Sequence, residues 1–185
     1  MKNNKMIAMM LTMSMLAAAF AGCLGGDDEE DTPDWSISMA SDVSADFVES
    51  AWDPIIPNLN AGDMCDAIIS AMTKTDEREQ AVDFTRAYYT SSQGVIGGTG
   101  AASISAVADL NAEGTTIGVQ SGTTSDLYAQ ENLGAATISA YDDFPSVIAA
   151  LNNGDVHYAM GDAPVLSLEG TLMVTFSDEN FGMAV

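Results

Sequence analysis

From Trp52 to Val185 the chain alternates short helical patterns with short apolar runs. Residues 54–60 place Ile55, Ile56 and Leu59 on one helical face, and Ala61-Gly62 ends the pattern. Residues 75–81 predict a second helix, with Thr75 as its N-cap and Asp76 and Glu77 in its first turn. Further helices are predicted at 104–110, 125–132 and 143–151, the last ending at Asn152-Asn153-Gly154. Strands are predicted at 65–70, 93–98, 116–120, 136–141, 156–161, 172–176 and 181–185. Such alternation predicts an α/β protein with parallel sheets and helices on their faces. The run Gly97-Gly98-Thr99-Gly100-Ala101-Ala102-Ser103 breaks the pattern and marks a boundary between two lobes.

Ahead of this pattern lies a segment with different logic. Lys2 and Lys5 precede an uncharged, mostly apolar run over 6–20. The run is shorter than the ~20 residues a membrane-spanning helix needs and fits a secretory signal peptide, residues 1–22. Phe20-Ala21-Gly22-Cys23 resembles a lipoprotein lipobox, which implies cleavage before Cys23 and lipid on that cysteine. Leu24 to Pro33 is Gly, acid and Pro, with nothing to bury, and reads as a solvated tether. Cys65, the other cysteine, stands in an apolar run and reads as a small core residue.

Charge narrows the partners. The 185 residues carry 5 Lys+Arg and 27 Asp+Glu, a net charge of −22, with 47% hydrophobic residues. The apolar content excludes a disordered acidic tail. The charge argues against nucleic acid and against docking of a protein surface on an anionic membrane. It suits a salty or extracytoplasmic setting, where repulsion is screened. His157 is the one histidine and reads as a hydrogen-bonded strand residue; it has no partners for a zinc site. Gly98-Thr99-Gly100 lacks the third glycine of a dinucleotide fingerprint, and neither a nucleophile elbow nor a P-loop occurs. Nothing here supports an enzyme or calls for a cofactor.

The basic residues beyond the leader are Lys74, Arg78 and Arg86. Arg78 falls in the first turn of the helix predicted at 75–81, where the helix dipole disfavours a cation. Two readings stand. Either a bound carboxylate sits between Arg78 and nearby backbone N–H groups, or Arg78 pairs with Asp76, Glu79 or Asp83 on a wet surface.

Four blocks carry a resemblance. They are Trp52-Asp53-Pro54-Ile55-Ile56-Pro57-Asn58-Leu59-Asn60-Ala61-Gly62 through Asp66-Ala67-Ile68-Ile69; Met72-Thr73-Lys74-Thr75-Asp76-Glu77-Arg78 with Val82-Asp83-Phe84-Thr85 and Tyr88-Tyr89; Asp109-Leu110 with Ile117-Gly118-Val119-Gln120-Ser121-Gly122-Thr123-Thr124; and Ala150-Leu151-Asn152-Asn153-Gly154-Asp155-Val156 with Asp162-Ala163-Pro164-Val165. In this order they resemble family 3 extracellular solute-binding proteins, the polar amino-acid receptors of ABC importers. The resemblance implies a two-lobed, type II periplasmic-binding-protein-like α/β fold and no enzyme activity. It assigns Arg78 to the ligand α-carboxylate, with Thr73, Ser70 and Ala71 assisting, and Asp162 to the α-ammonium. Trp52 matches a position that packs on the ligand side chain, and Gln120 and Thr124 match the second-lobe loop at the cleft. The implied partners are an amino acid and an ABC permease, with the membrane reached through lipid on Cys23.

The blocks also imply an organisation: leader 1–22, tether and leading segment 23–45, a partial lobe 1 at 46–97, hinge 98–100, lobe 2 at 101–180 and a return strand at 181–185. Lobe 1 reads as incomplete. Only 34–50 is available where relatives have a strand and a long helix, although 35–39 could form a strand. His157-Tyr158 stands where the family often has Asp-Ala. Two alternatives follow: a ligand-sensing or scaffold lipoprotein with a degenerate cleft, and a prephenate- or arogenate-dehydratase-type enzyme on the same scaffold.

Overall fold

The computed structural model describes residues 5–10, 44–62 and 64–185. Two sheets organise them. The first has three parallel strands in the order β2-β1-β3, where β1 is Lys5–Met10, β2 is Ser44–Glu49 and β3 is Ala67–Ile68. Helix α1, Ile55–Ala61, buries Ile55 and Leu59 as its periodicity predicts and stops at Gly62 in the left-handed conformation. These two residues join Trp52, Cys65, Ile68, Met72, Val82 and Ala184 in one core. Cys65 therefore is a core residue, as expected. Strand β1 lies within the segment read as a leader. Cys23, the tether and the strand expected at 35–39 lie outside the described residues.

The second sheet has the order β6-β5-β7-β4-β8. Its strands are β4 (Tyr89–Gly97), β5 (Thr116–Gln120), β6 (Thr137–Tyr141), β7 (Tyr158–Asp162) and β8 (Leu172–Phe181). Helices α2 (Thr124–Asn132), α3 (Phe144–Asn153) and α4 (Ala163–Glu169) complete the unit. Adjacent residues of β4 point to opposite faces, so Val95 joins the core beneath Ala129 of α2 while Ile96 joins the core beneath α3 and Leu166 of α4. Local chemistry starts the two longer helices. Thr123 accepts from the Asp126 N–H at 3.3 Å, and Asp143 accepts from the Ser146 N–H at 2.8 Å.

Several expectations need correction. The sheet is mixed: β5 runs parallel to β6 and β7, but β4 is antiparallel to both β7 and β8. The helix expected at 75–81 is one 3₁₀ turn, Arg78–Gln80. Its flanks explain this. Lys74 N–H donates to the Asn180 carbonyl, while Asp83 and Thr85 N–H groups donate to Val185 and Met183. Extended pairing on both sides leaves no room to propagate a costly helix nucleus. Thr75 still caps the turn, its hydroxyl accepting from the Arg78 N–H at 3.2 Å. The helix expected at 104–110 is likewise a 3₁₀ turn, Val107–Leu110, and the strand expected at 65–70 is paired only over Ala67–Ile68. The strand expected at 172–176 runs on to Phe181 as β8, and of the strand expected at 181–185 only Phe181 belongs to it, with Ala184 beyond bridging to Ile68 and Phe84. Helix α4 was not expected, because Pro164 and Gly170 bound too few residues to show a period.

Strands β4 and β8 connect the units. They pair from Tyr89–Phe181, where Phe181 also bridges to Thr73 of the first unit, to Ile96–Leu172 in the second. Gly98, in the segment read as a hinge, donates its N–H to the His157 carbonyl at 2.9 Å. Along β4, Gly94 allows α4 to approach: a Cβ there would lie 2.8 Å from Leu172 Cδ2 and 3.2 Å from the Ala163 backbone. Gly94→Ala is expected to destabilise the protein by about 1–3 kcal/mol, read from urea unfolding, because backbone cannot yield as a side chain can.

Candidate functional site

A cavity of about 570 Å³ opens between the two units. Trp52, Ser70, Ala71, Thr73 and Arg78 line it from the first; Gln120, Thr124 and Asp162 line it from the second. All eight residues singled out from the sequence are thus brought to one place.

Arg78 enters the cavity from the 3₁₀ turn. Its Nη1 donates to the Thr73 carbonyl at 2.8 Å, and Nη2 donates across the cleft to the Gly122 carbonyl at 3.2 Å. The guanidinium carbon sits 5.2 Å from the centroid of the Trp52 ring, a cation–π arrangement. Trp52 Nε1 donates to the same Gly122 carbonyl at 3.1 Å. Gly122 presents that carbonyl at φ 68°, a left-handed conformation that suits glycine. The surface pairing considered for Arg78 is not what the fold makes: Glu79 meets Lys74 instead, at 3.7 Å. Burial works against the Arg78 charge, and the carboxylates of Glu179, Asp162 and Glu77 work for it.

Beside Arg78 the backbone turns sharply. Ala71 has φ 51°, an uncommon conformation for a residue with a Cβ, and its N–H donates to the Tyr88 hydroxyl at 3.0 Å. The neighbouring Ser70 hydroxyl is buried with no hydrogen-bond partner among the described residues. An orphan hydroxyl lining the same cavity as a guanidinium is suited to an anionic oxygen that a ligand supplies.

Opposite stands Asp162, the last residue of β7. Its Oδ1 accepts from Gln93 Nε2 at 2.8 Å; the same amide donates to Thr124 Oγ1 at 3.1 Å, and the Ser125 hydroxyl donates to Gln93 Oε1. Burial raises the Asp162 carboxyl to about 7; the Gln93 hydrogen bond and Arg78 oppose this, and Glu179 adds to it. Gln120 Nε2 reaches the Asp142 carbonyl at 3.4 Å. Glu49, Asp142, Asp143 and Phe144 form more of the wall. Burial also raises the Tyr88 phenol.

Sequence reasoning missed Tyr88, Gln93 and the wall acids as site residues. Tyr88 lay in a matching block. Gln93, 2% exposed, is a polar residue inside an otherwise apolar strand, and that break was the available signal. His157 is structural, as expected: its Nδ1 accepts from the Thr116 N–H at 3.1 Å. Among the described residues no group of His, Cys, Asp and Glu is arranged to hold a metal ion.

Two α/β units joined by paired crossover strands, with ionic side chains of opposite sign facing across the gap, define a type II periplasmic-binding-protein-like fold. Residues 36–140 match the bacterial extracellular solute-binding proteins, family 3, and the chain belongs to that family. It is 30% identical to a probable histidine-binding protein of Neisseria gonorrhoeae, over 81% of this chain and 59% of that protein. It is 40% identical to an L-arginine-binding protein of Pseudomonas aeruginosa, over 52% of this chain and 36% of that protein. The chain thus spans a little over half of the first relative and about a third of the second. Among solved structures, an ancestral amino acid-binding protein, a precursor of cyclohexadienyl dehydratase, superposes with a TM-score of 0.78 at 27% identity, covering 100% of this chain and 82% of that one.

Proposed function

We propose that the protein is an extracytoplasmic receptor that binds an α-amino acid with a cationic side chain between its lobes and delivers it to an ABC importer. One observation carries the reading: Arg78 and Asp162 line the same cavity from opposite units. Arg78 takes the ligand α-carboxylate with its guanidinium fork, joined by the Ser70 hydroxyl and Thr73. Asp162 takes the α-ammonium. Trp52, already stacked on Arg78, packs on the ligand side chain, while Gln120 and Thr124 close from the second lobe. A ligand touching both lobes favours their closure by its differential affinity for the closed state.

The charge of the wall supports a cationic ligand. Glu49, Asp142 and Asp143 line the cavity besides Asp162, against a single Arg78, and their negative charge raises the local concentration of cations. The relative named for L-arginine agrees with this choice. Calorimetric titration with L-arginine, L-lysine, L-histidine and L-glutamine tests it. Binding of the cationic ligands in preference to glutamine is expected; no binding by the folded protein would reject the receptor reading.

The lobe boundaries belong to the same proposal: a partial lobe 1 over 46–97, a hinge at 98–100, lobe 2 over 101–180 and a return strand from 181. So does the anchor. Cleavage before Cys23 and its lipidation would tether the receptor to the membrane through the acidic spacer, and would also remove β1. Intact-mass measurement of protein extracted from host membranes decides this: an acylated chain starting at Cys23 supports the anchor, and a chain retaining Met1 rejects it.

A second reading, a prephenate- or arogenate-type dehydratase, draws on Asp162, whose carboxyl titrates near neutrality inside the cleft. Turnover of either substrate would displace the receptor reading.

A further inference from the structure

Behind the cavity, β8 carries a carboxylate that the binding reading does not use. Glu179 is 5% exposed and is not part of the cavity wall. Its place is set by an irregularity in the ladder. Ser91 pairs with Glu179 and Gln93 with Phe176, so Ser177 and Asp178 stand opposite Ser92 alone. Bulges of this kind re-aim side chains beside functional sites. Here the bulge also holds Ser177 at φ 52°, a strained conformation for serine. The Ser177 hydroxyl donates to Glu179 Oε1 at 2.9 Å, and Oε2 has no hydrogen-bond partner among the described residues. A carboxylate so placed is costly unless positive charge stabilises it. Its field reaches the two ionic groups of the cleft, favouring the charged form of Arg78 and disfavouring that of Asp162.

We propose that Glu179 is a positioning residue of the binding site: a buried negative charge, set by the bulge two residues along the ladder from the Gln93 that bonds Asp162, that biases the cavity toward cationic ligands. This rests on the receptor reading above. The geometry separates roles. Arg78 and Asp162 contact the ligand, whereas Glu179, fixed by Ser177 on a strand that joins both lobes, acts through them. Other groups in this field are Glu77, which acts on Arg78, and the Tyr88 phenol, which Asp162 influences. Neither shares the bulge that fixes Glu179, so its removal has a distinct readout.

The test compares wild-type protein with Glu179→Gln and Glu179→Asp in two measurements. The first needs no amino acid: carbon-13 titration of the side-chain carboxyls, with Asp162 assigned through Asp162→Asn. Glu179→Gln is expected to lower the Asp162 midpoint from about 7, and Glu179→Asp, which keeps the charge, to lower it less. An unmoved midpoint overturns the proposal. The second is the ratio of L-arginine to L-glutamine affinity by calorimetry. Glu179→Gln is expected to reduce it by about tenfold, the scale of one partly screened charge, and Glu179→Asp to restore most of it. A lowered midpoint with an unchanged ratio overturns the selectivity role. Wild-type protein that binds neither ligand rejects the receptor reading and, with it, the bias toward cations, while the titration separately shows whether Glu179 acts on Asp162. If Glu179→Gln fails to fold by circular dichroism, the uncharged Glu179→Met, of similar size, carries both measurements, and an unmoved midpoint or an unchanged ratio overturns the proposal.

Discussion

Arg78→Ala is expected to weaken amino-acid binding by about a hundredfold or more, the scale of deleting one partner of a desolvated charge pair. The reason lies in what surrounds the guanidinium. It is already held by the Thr73 carbonyl, by the Gly122 carbonyl of the other lobe and by the Trp52 ring. Little of its freedom remains to be lost when a carboxylate arrives, so the affinity it confers is not spent on ordering a flexible side chain. Its loss leaves the ligand carboxylate facing only the uncharged Ser70 and Thr73 in a cavity rich in acids. Arg78→Lys keeps the charge but not the planar fork and the stacking, so it is expected to recover only part of the loss. Calorimetry with L-arginine checks both, with circular dichroism to establish that the variants fold. An affinity for Arg78→Ala equal to wild type would remove Arg78 from the binding site.

The second large effect is on pH. The Asp162 carboxyl is raised from 3.8 to about 7, first by burial, and Glu179 adds to this; Gln93 and Arg78 act the other way. Near and below neutrality the ligand-free site therefore holds a proton on Asp162. An α-ammonium needs the carboxylate, so binding releases that proton. Affinity is expected to be level above about pH 7 and to fall by about tenfold for each pH unit below it, as linkage to one proton requires. Between pH 7 and pH 5 the loss approaches two orders of magnitude. Asp162→Asn is expected to bind weakly at every pH and to lose this slope, which separates proton release at Asp162 from acid damage to the fold. The stability of the ligand-free protein carries the opposite sign. A carboxyl raised on folding binds its proton more tightly in the native state, so stability falls as pH rises from about 4 toward 7 and is level above. Calorimetric affinities and urea midpoints across pH 5–8 check both trends; an affinity independent of pH would show that Asp162 is not the ammonium partner.

Much of this site was legible in the residues. The rarity of Arg78 in an acidic chain marked one candidate group, and the resemblance of four blocks in order supplied the two-lobed fold and the roles of Thr73 and Asp162. The helix expected around Arg78 was not legible. Thr75 does cap the Arg78 N–H, but residues on both sides are drawn into extended pairing with the end of the chain, and those partners lie about a hundred residues away. The same distance hid the mixed sheet. Short apolar runs specify strands but not direction, and β7 and β8, the antiparallel partners of β4, lie far along the chain.

What the sequence by itself determined is the set of local choices: helix starts at Thr123 and Asp143, the stop at Gly154, the alternation that gives β4 two buried faces, and the rare cation Arg78 in an acidic chain. Tertiary structure decided which charges meet. The Asp162 carboxyl is raised to about 7 by burial, with Glu179 adding to the rise and Gln93 and Arg78 opposing it, and these three stand 17, 69 and 84 positions away in the chain. Electrostatic energy depends on separation in space and on access to water, and neither is written in the spacing of residues along the chain.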